Sequence, residues 1–406
     1  MMKSLVFKYN SYYFLSNLVF QKGIFMLFLT TQRGIDNAEI AILQLSLLMG
    51  MFLSEVPTGI LGDRFGRKFS VVTGLILLTS SSLGFIVFEH FWVLAILFFL
   101  EGLGMSFISG SDQSLLYDNL KQMNEEEQFL KTMSTSLGLS YISLAIASVI
   151  GGLIQEVSWN LVYGLSSIAI LGSILFFVSI KELSFNQSES IDLLTKKVIT
   201  QKKSIIGETA EYFKSYEGRK ILQVFILLGA FEATCMAYFM FSQQFFHMLG
   251  LNVFVISIVF MAGRLLSGFS YFIAPKLAKK FSSRKVIIST MLGTSLFLVL
   301  NVFDFSFYYY VSFAAIVILP YISNVLNVNF IHSKIPSLTR ASIMSVGSMI
   351  GSVSLGLAYL IIGFLLDATT LNITTAAIGI INLATALLYV IKTKSMEWGQ
   401  TNDKAA

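Results

Sequence analysis

The run Gly59-Ile60-Leu61-Gly62-Asp63-Arg64-Phe65-Gly66-Arg67-Lys68 joins two very hydrophobic segments, one ending near Leu61 and the next opening at about Phe69. Its glycines permit a sharp reversal and close helix contact, and its bases stand where the apolar run stops. A charged, glycine-punctuated turn between two apolar spans is not an ordinary solvated loop. Working outward, the 406 residues are 55% hydrophobic and only 13% charged, with a mean hydropathy of +0.75. A soluble domain carries about 25% charged residues, so most of this chain faces lipid or other buried helices.

A bilayer core of about 30 Å needs roughly 20 apolar residues of helix. Twelve stretches meet that length, near 10–31, 38–61, 69–88, 91–113, 131–154 and 158–180, then 220–243, 252–275, 285–303, 307–330, 341–366 and 371–391. The sequence therefore predicts an all-α polytopic membrane protein. Residues 1–180 form a first six-helix bundle, 181–219 a cytosolic central loop, 220–391 a second six-helix bundle and 392–406 a cytosolic tail. The central loop carries Lys196, Lys197, Lys202 and Lys203, with an interfacial helix expected around 205–216.

Lys and Arg set the orientation. With both termini cytosolic, Arg33 alone falls in an external loop, Lys22 and Arg264 fall inside spans, and the remaining bases are cytosolic. The acids Asp36, Glu39, Glu89, Glu156, Asp304 and Asp367 all fall at the outer face. The net charge of +5 is thus a topology signal rather than a nucleic-acid footprint. One cysteine, Cys235, leaves no disulfide framework and no zinc-type cluster. Only Lys3 and Lys8 precede the first span, which lacks a small-residue cleavage signal and reads as an uncleaved helix. No metal-ligand spacing, phosphate loop or nucleophile motif is apparent, so neither cofactor nor enzymatic activity is expected.

The opening run resembles the signature loop between helices 2 and 3 of the major facilitator superfamily, G-x-L-a-D-R-x-G-R-K. The resemblance implies twelve helices in two bundles, working by alternating access. It also implies a cytosolic latch. Asp63 would sit near the N-terminus of helix 11, where a carboxylate favours the positive end of the helix dipole. Arg64 or Arg67 would pair with an acid at the cytosolic end of helix 4, for which Asp118 is the choice, and Gly59, Gly62, Gly66 and Lys68 complete the motif. The bland alternative is that these bases merely stop the helix at anionic headgroups. Arg284-Lys285 repeats Arg67-Lys68 in the second half, but Lys280 stands where Asp63 stood.

Four ionisable residues fall near the middle of their spans: Lys22, Glu101, Glu232 and Arg264. A charge at that depth costs at least about 2.5–3.5 kcal/mol and is a functional-site hypothesis by default. By the resemblance, helices 1, 4, 7 and 10 line the central cavity. Three of the four charges lie on those helices, and helix 10 adds Asn324 and Asn327. Glu101 and Asp112 would share one face of an unbroken helix, about 16 Å apart along its axis. Glu232 shares a face with Phe225, Cys235, Phe239 and Gln243. Tyr13, Asn17 and Gln21 form an i, i+4 ridge beside Lys22. A buried carboxyl without a partner favours its neutral form, and a nearby cation favours the charged one, so Glu101, Glu232 and Asp112 are the proton-coupling candidates. Lys22, Gln21, Asn17, Arg264, Asn324, Asn327 and Phe239 are the substrate-binding ones. The plain alternative is static pairing, for example Glu232 with Arg264. Glu55 suits the latch as well as it suits a proton.

Two departures bear on subtype. Where drug/proton antiporters of this superfamily carry G-x-x-x-G-P-x-x-G-G in helix 5, the chain has Ser143, Ala147, Ser148, Gly151 and Gly152, without the proline. Where they carry an arginine three residues before Q-G in helix 4, it has Phe98 and Glu101-Gly102. The reading is a monomeric secondary transporter of a bacterial plasma membrane, with protons and a small organic or drug-like compound as partners and proton-coupled export as its activity. A metabolite or organic-anion symporter or uniporter, and a non-transporting sensor or scaffold, are the alternatives.

Overall fold

The computed structural model describes residues 2–125, 127–182, 207–335, 340–394 and 396. The expected Lys196, Lys197, Lys202 and Lys203 tract lies outside the described residues, as does most of the expected tail. Of the expected interfacial helix, residues 207–214 are helical. Among the described residues all regular structure is helical.

In chain order the helices are α1 (Met2–Ser16), α2 (Asn37–Phe65), α3 (Arg67–Val87), α4 (Phe91–Ile108), α5 (Ser111–Gln122), α6 (Gln128–Ile154) and α7 (Trp159–Val178). After the segment 207–214, here α8, come α9 (Tyr216–Met248), α10 (Val253–Lys280), α11 (Ser283–Val299), α12 (Ser306–Lys334), α13 (Arg340–Ala368) and α14 (Leu371–Thr393). Two compact units emerge. One comprises 1–185 together with 243–264, the other 186–242 together with 265–406.

Eleven helices among the described residues are long and apolar enough to cross a membrane, α4 and α5 counting as one stretch. The expected span 10–31 is not among them, because its helix is interrupted. α1 stops at Ser16, a 3-10 turn covers Phe20–Gly23, one α turn covers Phe25–Leu27 and a π turn covers Phe28–Gln32. At the break Asn17 Nδ2 donates to the Tyr13 carbonyl at 3.0 Å, the local side-chain competition by which Asn disrupts helix interiors.

Non-helical backbone at membrane depth is tolerated only where protein or a cavity satisfies it. Here neighbouring helices do so. The Phe20 N–H donates to Ser166 Oγ at 2.9 Å, the Met26 N–H donates to Gln243 Oε1 at 2.9 Å, and Ser143 Oγ donates to the Phe14 carbonyl at 2.6 Å. The small-residue stretch of α6 is the surface this interrupted segment lies on. A Cβ on Gly151 would stand 2.0 Å from the Phe20 carbonyl oxygen, and one on Gly23 would stand 3.0 Å from Ser148.

The fourth expected span is also broken. α4 ends at Ile108, Gly110 takes a left-handed conformation (φ 74°), and α5 starts afresh at Ser111. A left-handed residue costs glycine nothing sterically, so Ser109-Gly110 marks the break. The remaining first-unit helices pack closely. α4 meets α2 through Gly102, whose Cβ would stand 2.1 Å from the Leu47 carbonyl oxygen, and meets α3 through Gly104 and Gly74. In the second unit α11 packs on α14, where Gly379 lies against the Val299 backbone, and Ser267 Oγ of α10 donates to the Val317 carbonyl of α12.

Candidate functional site

Gly102 and Gly104 anchor α4 against α2 and α3. Glu101 lines a cavity of about 320 Å³ that lies wholly within the first unit. Both helix breaks open onto that cavity: Asn17, Gln21 and Lys22 on one side, Ser109, Gly110 and Asp112 on the other. Lys22, on the 3-10 turn, is accessible from the cavity although it stands deep among protein atoms. Lys22 and Glu101 act on each other electrostatically, and the charge of Arg264 reaches Lys22 as well. Gln21 accepts from Ser166 Oγ, which ties it to α7.

The single unbroken helix expected to carry Glu101 and Asp112 is absent, since the Ser109-Gly110 break lies between them. The two carboxyls nevertheless line one cavity. Asp112 is 5% exposed and held on two sides. Tyr13 Oη donates to its Oδ2 at 2.7 Å, and the Gln113 N–H donates to its Oδ1 at 2.7 Å. Tyr9 Oη donates to the Asp112 carbonyl at 3.2 Å.

The second unit holds its own polar cluster. Asn324 Nδ2 of α12 donates to Glu232 Oε1 of α9 at 2.8 Å. Glu232, Asn324, Cys235 and Phe239 line a cavity of about 280 Å³ with Tyr271 and Tyr321. Phe239 stacks on Phe313, ring centroids 5.8 Å apart and 17° from parallel. A second cavity adjoins Glu232, Asn324 and Asn327. Tyr389 Oη donates to Asn327 Oδ1 at 2.6 Å, and the buried Nδ2 of Asn327 has no hydrogen-bond partner among the described residues. Phe225 lines this second cavity, whereas Gln243 belongs to the first unit. Arg264 also belongs to the first unit, and Glu232 to the second.

At the signature loop, Arg67 Nη1 lies 2.8 Å from Asp118 Oδ2, both side chains about one-third exposed. Arg64 is exposed and lies over the Phe65 ring, 5.4 Å from its centroid. The side chain of Asp63, and hence its expected place at a helix N-terminus, lies outside the described residues. Gly66 makes the reversal with φ at 100°. Gly62 lies in ordinary contact with Ser111 and Ser70, while a Cβ on Gly59 would meet nothing within 4 Å among the described residues.

Three residues unforeseen in the sequence enter these clusters. Glu182, just past α7, accepts from the Arg67 N–H at 2.6 Å and the Lys68 N–H at 3.3 Å, capping the start of α3, while Lys68 Nζ donates to the Ile180 carbonyl at 2.9 Å. Its only sequence signal was being the first acid after the sixth span. Tyr163 of α7 is 1% exposed, its hydroxyl lacks a hydrogen-bond partner among the described residues, and the charges of Glu101 and Arg33 both reach it. Arg33 itself pairs with Glu89 and donates to the Phe85 carbonyl at 2.7 Å.

Comparison with known proteins agrees with this architecture. Residues 12–333 match the family model described as Major Facilitator Superfamily. An uncharacterized MFS-type transporter of Methanocaldococcus jannaschii is 29% identical over 130 residues, which are 30% of this chain and 31% of that protein. The chain thus spans about a third of the length of that curated relative.

Among solved structures, the nucleoside transporter NupG superposes with a TM-score of 0.76 at 12% identity, covering 96% of this chain and 99% of that one. A D-xylose–proton symporter superposes with a TM-score of 0.72 at 13% identity, covering 99% of each chain. A bacterial homologue of the human lysosomal transporter Spinster, inward-facing and unoccupied, reaches 0.70 at 14% identity and 96% coverage of each. At such identities these likenesses establish the fold alone. With the family model spanning most of the sequence and the helices folding as they do, this multi-pass membrane protein belongs to the Major Facilitator Superfamily, a family of transporters and not of enzymes.

Proposed function

We propose that the chain is a secondary active transporter that exports a small organic or drug-like compound in exchange for protons, by alternating access. The observation that carries this reading is the cavity in which Glu101 meets Lys22 beside an interrupted helix. Broken membrane helices at polar cavities are where transporters build substrate and ion sites. A carboxyl facing a cation in low dielectric changes its hold on a proton when that cation moves or is neutralised. In the proposed cycle Glu101 or Glu232 takes a proton from outside and releases it to the cytosol. Asp112 serves the same traffic, while Lys22, Asn17, Gln21, Asn324, Asn327, Phe239 and Arg264 contact the substrate. The Arg67–Asp118 pair serves as the cytosolic latch, with Asp63 completing it.

The topology belongs to the same proposal. It has twelve crossings in two bundles, 1–180 and 220–391, with both termini and the segment 181–219 cytosolic, in a bacterial plasma membrane and acting as a monomer. The test uses proteoliposomes with a trapped pH dye and a panel of lipophilic cations, neutral drugs and organic anions. Substrate-driven proton efflux from acid-loaded vesicles, lost in Glu101→Gln or Glu232→Gln, is the expected result. A second reading, symport of an organic anion, is supported by the access of the Lys22 ammonium to the cavity. Proton and substrate moving in the same direction in that assay selects it.

A further inference from the structure

The first-unit cavity extends well beyond the Lys22–Glu101 pair. It reaches past the break in the fourth span to Asp112 and Gln113, on the side of the unit that carries Asp118 and the signature loop. A volume of about 320 Å³ is far more than a single water needs, and its lining is polar at both ends. Asp112 itself is packed for a task more particular than solvation. It lies almost fully buried, its carboxylate accepts from Tyr13 and from the Gln113 N–H, and the ion pairs seen among the described residues do not include it. A buried carboxylate without a cation beside it is costly to keep charged.

We infer that Asp112, with Tyr13, is a proton relay station, and that the first-unit cavity is a hydrated path joining it to Glu101. The inference rests on the proton-coupled reading of Glu101 given above and assigns where that proton goes. Glu101 gives its proton to water in the cavity and becomes a carboxylate. The Asp112 carboxylate receives a proton from the same water chain and becomes neutral, keeping the Tyr13 hydrogen bond. It then loses that proton to water on the cytosolic side, toward the end of α5 that carries Asp118, six residues on and about 9 Å further along the helix axis.

Among the described residues the groups that face Asp112 are few. α1 contributes Tyr9, Tyr12 and Tyr13, and α6 contributes Met133, whose sulfur lies 3.8 Å from Tyr13 Oη. α3 presents Val71 and Leu75 to the same buried cluster. Tyr9 stands within the electrostatic reach of Asp112, Asp118 and Glu182 together, on the cytosolic side of the relay. On the Glu101 side the facing groups are Lys22 and Tyr163, with Arg264 acting through Lys22 and Arg33 reaching Tyr163. The helix break matters because it lets the backbone around Ser109-Gly110 line the cavity rather than seal it.

The test needs no substrate. The full chain in liposomes is followed by time-resolved infrared difference spectroscopy of carboxyl C=O bands after pH jumps. The expected spectrum holds two protonated-carboxyl bands, one lost in Glu101→Gln and the other in Asp112→Asn. Tyr13→Phe should move only the Asp112 band to higher frequency, as a carboxyl does on losing a hydrogen bond. After an alkaline jump, Asp112→Asn should slow the deprotonation of Glu101 by at least about tenfold while leaving its equilibrium titration in place, and Asp112→Glu should restore the rate.

An unchanged rate in Asp112→Asn overturns the inference. So does a Glu101 titration that shifts as far as its rate, or an Asp112 that shows no protonated band. If Asp112→Asn does not fold, Asp112→Glu and Tyr13→Phe carry the same comparison through the band shift and the rate. A chain that passes here yet moves no substrate against protons in vesicles keeps the path and loses the antiport reading.

Discussion

Arg67 and Asp118 form an ion pair at 2.8 Å between the start of α3 and the middle of α5, helices that meet on the signature-loop side of the first unit. Both side chains are about one-third exposed, so screening leaves such a pair worth only about 0.2–1 kcal/mol. Asp118→Asn should therefore barely move thermal stability. If the pair is a latch, the same variant should change the labelling of cysteines placed on the two faces, and restoring the pair in reverse (Arg67→Asp with Asp118→Arg) should return it. Stability loss without an accessibility change would make the pair a fastener only.

Glu182 caps α3 through two backbone N–H groups. Glu182→Ala should cost about 0.5–2 kcal/mol, the usual worth of a lost helix cap, and Glu182→Gln less. Gly66→Ala should cost more than either. Its φ of 100° is hostile to any side chain, and a Cβ there would stand 2.9 Å from Glu182 Oε2. Thermal unfolding in detergent ranks the three.

Gly151→Ala places a methyl 2.0 Å from the Phe20 carbonyl oxygen, a backbone atom that cannot rotate away. Overpacking of this kind costs about 1–3 kcal/mol. Gly102→Ala, 2.1 Å from the Leu47 carbonyl oxygen, should behave alike. Gly59→Ala, whose Cβ would meet nothing within 4 Å among the described residues, should be neutral or slightly stabilising within its helix. Melting temperatures of the three variants settle the order.

Lys22 and Glu101 act on one another across their cavity. A double-mutant cycle with Lys22→Met and Glu101→Gln should therefore be non-additive by about 0.5–3 kcal/mol, since removing one charge strands the other. Additive effects would mean that the two groups titrate independently.

Much of this fold could be read from apolar run length alone. Ten expected spans coincide with single helices to within about five residues, because a bilayer's thickness fixes helix length more strictly than any soluble core does. The two interruptions were invisible for the same reason. Hydropathy averages over twenty residues, and neither Asn17 nor Ser109-Gly110 lowers that average much, although each decides local backbone geometry. The Arg67–Asp118 pairing could be anticipated from the signature loop, whereas Glu182 could not, since its partners are backbone groups that leave no mark in sequence. Asn324 beside Glu232 followed from the resemblance, which puts helices 7 and 10 on one cavity, whereas the expected helical ridge of Tyr13, Asn17 and Gln21 is broken after Ser16, and Asn17 and Lys22 line one cavity in spite of that. Tyr163 gave no signal, because an aromatic residue in an apolar helix is ordinary until its hydroxyl is found without a partner.

The repairs to the interrupted segment also impose an order on biogenesis. The backbone between Phe14 and Met26 is satisfied by Ser143, Ser166 and Gln243, side chains that the ribosome adds long afterwards. Until those arrive, the Phe14 carbonyl and the Phe20 and Met26 amides lack the side chains that serve them in this interrupted geometry, and an unpaired amide in hydrocarbon is costly. The interrupted geometry itself is therefore expected to form only once the chain's second half has begun to emerge. A product truncated before residue 243 would leave the Met26 amide without its Gln243 acceptor.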